Sequence, residues 1–264
     1  MTKIKTAVSV FFVGVMALAA SESTKAGLID RGNGLIYDTV LNVTWAQDIA
    51  LSSTLGAPHI FNWYGAKTWV DQLVYRGYDD WRLPTLTPVN GVKFNRVFHC
   101  DGSSDYGYGI AAPGGASAGF TGNELAHMFH VNLGNKSQCM GDGPDRVYGP
   151  DVGIQNASFV DALTGETVSF LNLQGQKRFS WFDLAPPPSN FTWTFNYRGF
   201  NDWENAIYQR HRAWAVRDGD VLVTTVPEPS TLLLLLSGSL AGLWFSTKRK
   251  SARQRRLVSS VDSA

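Results

Sequence analysis

The chain has 264 residues, with 23 Lys+Arg against 22 Asp+Glu and a formal net charge of +1. Across 27–226 alone the count is 14 Lys+Arg against 19 Asp+Glu, a difference of −5, and no basic run occurs there. That excludes the cationic surface on which nucleic-acid affinity rests, and it leaves about 200 residues, enough for one domain with a sizeable core.

The N-terminus reads as an export signal. Lys3 and Lys5 form a short positive region, 7–20 is mostly apolar, and small residues stand in cleavage-site spacing at Ala17-Leu18-Ala19 and at Thr24-Lys25-Ala26. A signal peptide over 1–26 follows, too short to span a membrane; cleavage after Ala19 and after Ala26 both fit. Cys100 and Cys139 are the only cysteines, and both lie in the exported part. In an oxidising compartment the simplest reading is one disulfide. Closing a loop of about forty residues contributes roughly 4 kcal/mol. Two free buried thiols are the alternative.

The exported part opens at 34–45 with apolar–polar alternation on both sides of Asp38 to Leu41, which predicts a two-stranded hairpin. Over 62–76, Trp63, Ala66, Trp69, Val70, Leu73 and Val74 recur at three- and four-residue steps, predicting an amphipathic helix stopped near Gly77. The stretch 100–122 is rich in Gly, Ser, Ala and Tyr and reads as a long irregular loop of the functional kind. A second helix is predicted over 123–133, with Thr121 and Asn123 as candidate N-caps. Its apolar face carries Leu125, Met128, Phe129 and Leu133. A Gly/Asp/Pro stretch occupies 141–153, and strands are predicted at 158–170, 178–184, 191–197 and 213–223. The heptapeptide Tyr75-Arg76-Gly77-Tyr78-Asp79-Asp80-Trp81 is echoed by Tyr197-Arg198-Gly199-Phe200-Asn201-Asp202-Trp203. Each copy is expected to be a turn, with Gly at positive φ, Asp as cap and Trp in the core.

Four groups of residues invite a chemical reading. Gly115-Ala116-Ser117-Ala118-Gly119 matches the nucleophile elbow of hydrolases, but that motif needs a strand before it and a helix after. Ala112-Pro113-Gly114 stands there instead, so the match is chance. Glu124, His127 and His130 step by three and suggest metal ligands, yet a polar stripe on a half-exposed helix explains them without one. Asp101, Asp105, Asp142, Asp145 and Asp151 flank the cysteines in Gly-rich stretches and suggest Ca²⁺, which takes such oxygens; Asp-Gly turns are the plainer account. Eight tryptophans fall within 27–226. Trp45, Trp69, Trp81 and Trp214 sit on periodic apolar faces and belong to the core, leaving Tyr106, Tyr108, Trp181 and Trp193 to stack on a sugar.

The C-terminus carries Pro227-Glu228-Pro229, then the apolar stretch 230–247, then Lys248, Arg249, Lys250, Arg253, Arg255 and Arg256. As a helix the apolar stretch would measure roughly 27 Å, close to the ~30 Å core of a bilayer. The cations keep the tail cytoplasmic and everything upstream outside the inner membrane. This order resembles the PEP-CTERM sorting signal of Gram-negative bacteria. The resemblance implies recognition of Pro227, Glu228 and Pro229 by an exosortase, removal of the tail, and delivery to the cell surface or extracellular matrix.

The residues 34–45, Asp80-Trp81-Arg82-Leu83-Pro84-Thr85, Asn123-Glu124-Leu125-Ala126-His127-Met128-Phe129 and Ala213-Trp214-Ala215-Val216-Arg217-Asp218-Gly219-Asp220-Val221 together resemble the Lcl C-terminal domain family. That family is similar to the C-type-lectin-like fold. The resemblance implies one α+β domain over 27–226 with two helices, short antiparallel sheets and long loops, between the signal peptide (1–26) and a transmembrane sorting signal (227–264). It also implies a non-catalytic module that binds a glycan or exopolysaccharide, with no cofactor unless Ca²⁺. Where the family has Tyr-Trp-Ser, this chain has Phe179-Ser180-Trp181, and its acidity does not suit the polyanions that the family binds. The alternative is an enzyme on the same broad fold, like the formylglycine-generating oxidases, which work through cysteine.

Overall fold

The computed structural model describes residues 27–139, 152–173, 180–182 (backbone only) and 190–221. The signal peptide, the 227–264 signal with its proposed transmembrane helix, and Asp142, Asp145 and Asp151 lie outside them. Among the described residues no helix is long and apolar enough to cross a membrane. The chain divides into a unit through Asp220 and a tail unit, Val221–Ala264, of which only Val221 is described.

Strands β1 (Leu28–Asp30), β2 (Leu35–Asp38) and β3 (Val43–Ala46) pair antiparallel, and the β2–β3 hairpin is the one the alternation predicts. Its turn is held by Asp38, whose Oδ1 accepts the amides of Val40 (2.9 Å) and Leu41 (3.0 Å). A short helix α1 (Leu51–Thr54) follows, unforeseen from sequence. Asp48 fixes it by accepting from the Ala50 amide and the Thr54 hydroxyl.

Helix α2 (Trp63–Asp71) is capped by Asn62, whose side chain accepts from the Gly65 amide at 2.8 Å. It ends five residues before the predicted limit at 76. Arg76 (φ 55°) and Gly77 (φ 84°) instead form a tight turn, with Tyr75 and Tyr78 exchanging both backbone bonds. Two consecutive left-handed residues suit a hairpin turn and cannot continue a helix.

The region 98–108, read in part as loop, contains two strands: β4 (Phe98–His99) and β5 (Tyr106–Tyr108), paired parallel. A Cβ at Gly107 would lie 1.9 Å from the His99 carbonyl oxygen. The glycine that lowers strand propensity here is the residue that lets the two backbones approach.

Helix α3 (Glu124–His127) begins at the Asn123 cap, which accepts from the Ala126 amide at 2.9 Å, and continues as a π-helical turn, Met128–Asn132. The half-exposed polar stripe expected on this helix is corrected by burial: every residue from Asn123 to His130 is buried.

The predicted strand at 158–170 is a hairpin of β6 (Ser158–Val160) and β7 (Thr167–Ser169). Its turn is set by Asp161, which accepts the Leu163 and Thr164 amides, and by Gly165 at φ 75°. Strands β8 (Ser180–Phe182), β9 (Phe191–Asn196), β10 (Phe200–Asn205) and β11 (Val216–Asp218) complete the unit. The sheet orders are β1-β2-β3-β11, β4-β5-β10-β9-β8 and β6-β7. The α+β class therefore holds, with short sheets that are mostly antiparallel and three short helices among the described residues.

The two echoed heptapeptides diverge. Gly77 and Gly199 both take positive φ, and Trp81 is buried as expected. In the second copy the turn ends at Gly199, and 200–205 is strand β10. Neither Asp80 nor Asp202 caps a turn: Asp80 pairs with Arg217, and Asp202 accepts from the amide of Trp203.

The main core gathers Trp45 and Trp214 (centroids 4.8 Å apart), Ile36, Val216, Phe170, Leu125, Phe129 and Phe195. Trp69 is only half-buried, stacked on Phe61. A void of about 10 Å³ lined by Leu125, Phe129, Phe195 and Trp214 is the size of a packing defect.

The block Trp81-Arg82-Leu83-Pro84-Thr85 binds the first sheet to α3. Arg82 and Val216 exchange backbone bonds (2.7 and 3.0 Å). The Arg82 guanidinium is bidentate on Glu124 (2.8 and 2.9 Å) and reaches Asp218 through Nε at 3.0 Å. Glu124 Oε2 also accepts the Thr85 amide at 2.7 Å. Removing one partner of a buried pair strands the other's charge, at about 3–5 kcal/mol. Glu124→Leu is expected to lower stability by that amount, read as a drop in the urea midpoint at unchanged slope; a loss under about 1 kcal/mol would reject this role.

Candidate functional site

The five-stranded sheet has two unlike faces, because successive strand side chains point to opposite sides. On β10, Phe200, Asp202 and Glu204 project one way and Asn201, Trp203 and Asn205 the other. The antiparallel register sets Phe200 opposite Tyr108, Asp202 opposite Thr194, and Glu204 opposite Thr192.

The first face carries an aromatic strip. Phe98 lies 6.0 Å from Tyr106, 6.2 Å from Tyr108 and 6.2 Å from Phe200, and Phe200 lies 5.4 Å from Tyr106. Phe98 is 41% exposed, Tyr106 and Phe200 are half-buried, and Tyr108 is buried. Next to the strip stand Asp202 and Glu204, the latter paired with His211 Nε2. Burial, then the neighbouring Glu204, holds the Asp202 carboxyl above the usual carboxylate range. Burial, then Asp202 and Glu204, raises the Tyr106 phenol. Such a face offers flat apolar rings beside charged acceptors.

The second face turns inward. Trp193 is fully buried, packed 4.9 Å from Trp203 and 5.3 Å from Phe94, while Phe195 enters the main core. The structure thus brings Tyr106 and Tyr108 together and corrects the sugar-stacking expectation for Trp193, whose ring meets no solvent. Tyr108 contributes from beneath the strip rather than at its surface. Trp181 lies on β8, its side chain outside the described residues.

Cys100 and Cys139 form a disulfide with Cα atoms 5.3 Å apart, using both cysteines of the chain. Asp101 accepts from Ser103, and buried Asp105 accepts the amides of Val89 (2.8 Å) and Asn95 (2.7 Å), one on each oxygen. Asp105 therefore pins the 89–95 segment. Among the described residues no group of three or more His, Cys, Asp or Glu is placed to hold a metal ion. Ser117 lies in a turn with its hydroxyl accepting from the Ala111 amide, without the flanking strand and helix of a nucleophile elbow.

Glu124 is committed to Arg82, while His127 and His130 bond through Nδ1 to the Phe120 and Asn135 carbonyls. Sequence reasoning missed Phe98, Phe200, Asp202, Glu204 and His211. The alternation Phe200–Asp202–Glu204 was the available signal, and the echo with the 75–81 turn concealed it.

The PEP-CTERM protein-sorting motif family matches residues 225–250, which include Pro227, Glu228 and Pro229. The motif marks an exported precursor sorted by an exosortase. No curated protein and no solved structure matches the chain.

Burial lowers the His130 imidazole to about 4, against about 6.5 in an unfolded chain. The unfolded state takes up the proton first, so this contribution to stability is whole above about pH 6.5 and is lost as pH falls toward 4. Between about pH 7 and pH 4.5, wild type should lose about 2–3 kcal/mol more than His130→Leu in denaturant titrations. Parallel losses in both proteins would exclude a buried neutral His130.

Proposed function

We propose that this protein is a non-catalytic glycan-binding module of the cell surface or extracellular matrix, with its ligand held on the Phe98–Tyr106–Phe200 strip. The carrying observation is the exposed Phe98 ring beside two further aromatics and two carboxylates on one sheet face. Aromatic rings cover the C–H face of a sugar, and carboxylates accept its hydroxyls in charge-assisted bonds. The resemblance of 37–221 to the Lcl C-terminal domain family supports this reading, as does the α+β organisation. We read 27–226 as one C-type-lectin-like domain. Its net acidity favours neutral or cationic glycans over polyanions. The oxidase-like alternative requires a reactive thiol, which a Cys100–Cys139 disulfide does not supply.

A glycan array probed with the processed exported protein tests the reading. Phe98→Ala should weaken binding about tenfold with stability within about 0.5 kcal/mol of wild type, as for an exposed residue. Trp193→Ala should instead cost about 3–5 kcal/mol of stability. Binding to no glycan, or full binding by Phe98→Ala, would refute the proposed face.

Processing at the sorting motif removes the apolar stretch and all six tail cations. Replacing Pro227, Glu228 and Pro229 should leave export intact, since the signal peptide is untouched, and hold full-length protein in the inner membrane. Intact-mass measurement of the surface fraction decides: a wild-type polypeptide there that still contains 232–245 would make the tail a plain anchor.

A further inference from the structure

Beside the aromatic strip stand acidic groups that, among the described residues, have His211 but no Lys or Arg as a partner. Thr192 and Thr194 project to the same face as Asp202 and Glu204, directly across the β9–β10 ladder. Both hydroxyls are fully buried, and among the described residues neither has a hydrogen-bond partner. A buried hydroxyl with no partner is unfavourable, and each can offer two lone pairs. Asp202 and Glu204 crowd one another, and burial and that repulsion keep the Asp202 carboxyl above its ordinary range.

Elsewhere in the unit acids face guanidiniums: Asp220 faces Arg31, Glu124 faces Arg82, and Asp80 faces Arg217. Among the described residues Glu204 pairs with His211, and no Lys or Arg forms an ion pair with Asp202 or Glu204. Arg96 stands over Trp203, a ring of the opposite face. Asp202, Glu204, Tyr106 and Phe200 are each partly exposed, so the row opens to solvent.

We infer that this face selects an amine-bearing sugar. The protonated amine of a hexosamine unit sits between Asp202 and Glu204, over the buried Thr192 and Thr194 hydroxyls, and leaves the sugar ring against Tyr106 and Phe98. This rests on the glycan-binding reading and narrows it. An ammonium supplies three donors and a positive charge, both suited to a pair of carboxylates with hydroxyls beside them. An N-acetylated sugar carries a bulkier neutral amide, which provides one donor and no charge.

Calorimetric titration of the processed exported protein with glucosamine oligomers, with N-acetylated oligomers of equal length and with a lysine oligopeptide tests it. The free-amine sugar is expected to bind about tenfold tighter than the acetylated one. Asp202→Asn and Thr194→Val should each abolish that preference while keeping the wild-type melting temperature. If Asp202→Asn does not fold, Glu204→Gln reads the same pair. Equal binding of both sugars would overturn the amine assignment and leave glycan binding standing. Binding of neither sugar would overturn the amine assignment, with a blank glycan array overturning the glycan reading as well, and binding of the lysine peptide as tightly as the amino sugar would overturn the sugar assignment.

Discussion

The guanidinium of Arg82 is withdrawn from water between Glu124 and Asp218, and three parts of the unit meet there. Its backbone completes the edge of the β1-β2-β3-β11 sheet through Val216, and its side chain grips the first residue of α3. Glu124 then closes the arrangement by accepting the Thr85 amide, while its own amide donates to the Thr85 carbonyl. Burial disfavours charge on Arg82, but the bonds from Glu124 and Asp218 more than restore it, so the group stays protonated. A bidentate fork fixes direction as well as distance. It orients α3 so that Leu125 and Phe129 reach the aromatic core.

From that anchor a line of polar contacts leads to the candidate face. Asn123, next to Glu124, caps α3 through its side-chain oxygen and donates from its amide nitrogen to Asn201 on β10. Asn201 donates in turn to the Asp105 carbonyl at 2.6 Å, at the entry to β5. Asp105 then pins the 89–95 segment that leads into Phe98. All three side chains are buried, where a satisfied network is rigid and an unsatisfied one is costly. The strip is exposed, but the strands that present it are keyed to the core from behind.

Sequence carried the local elements whose signals are short-ranged. The β2–β3 hairpin, the Asn123 cap and the buried Trp45, Trp81 and Trp214 all follow from periodicity and turn chemistry within a few residues. What escaped depends on distant partners. Tyr106-Gly107-Tyr108 looks like loop until His99 lies beside Gly107, and Trp193 looks available for stacking until Trp203 and Phe94 cover it. Phe200, Asp202 and Glu204 become a face only when β9 supplies the threonines opposite. The heptapeptide echo misled for the same reason: identical turn residues are followed by irregular backbone at 79–81 and by a strand at 200–205, and the neighbouring strand, not the motif, decides which.

Charge ties the address of this protein to its proposed ligand. The six cations of the tail belong to the part that processing removes, and the remaining 27–226 stretch is near −5. In a screened medium that field reaches only about 8 Å, so it cannot by itself select a partner at a distance. Selection must come from short contacts, and on the strip those are two carboxylates and two buried hydroxyls beside aromatic rings. On the proposed reading, the net acidity disfavours polyanions, while the short-range set would separate an ammonium from a neutral amide. Affinity and specificity would then reside on one sheet face.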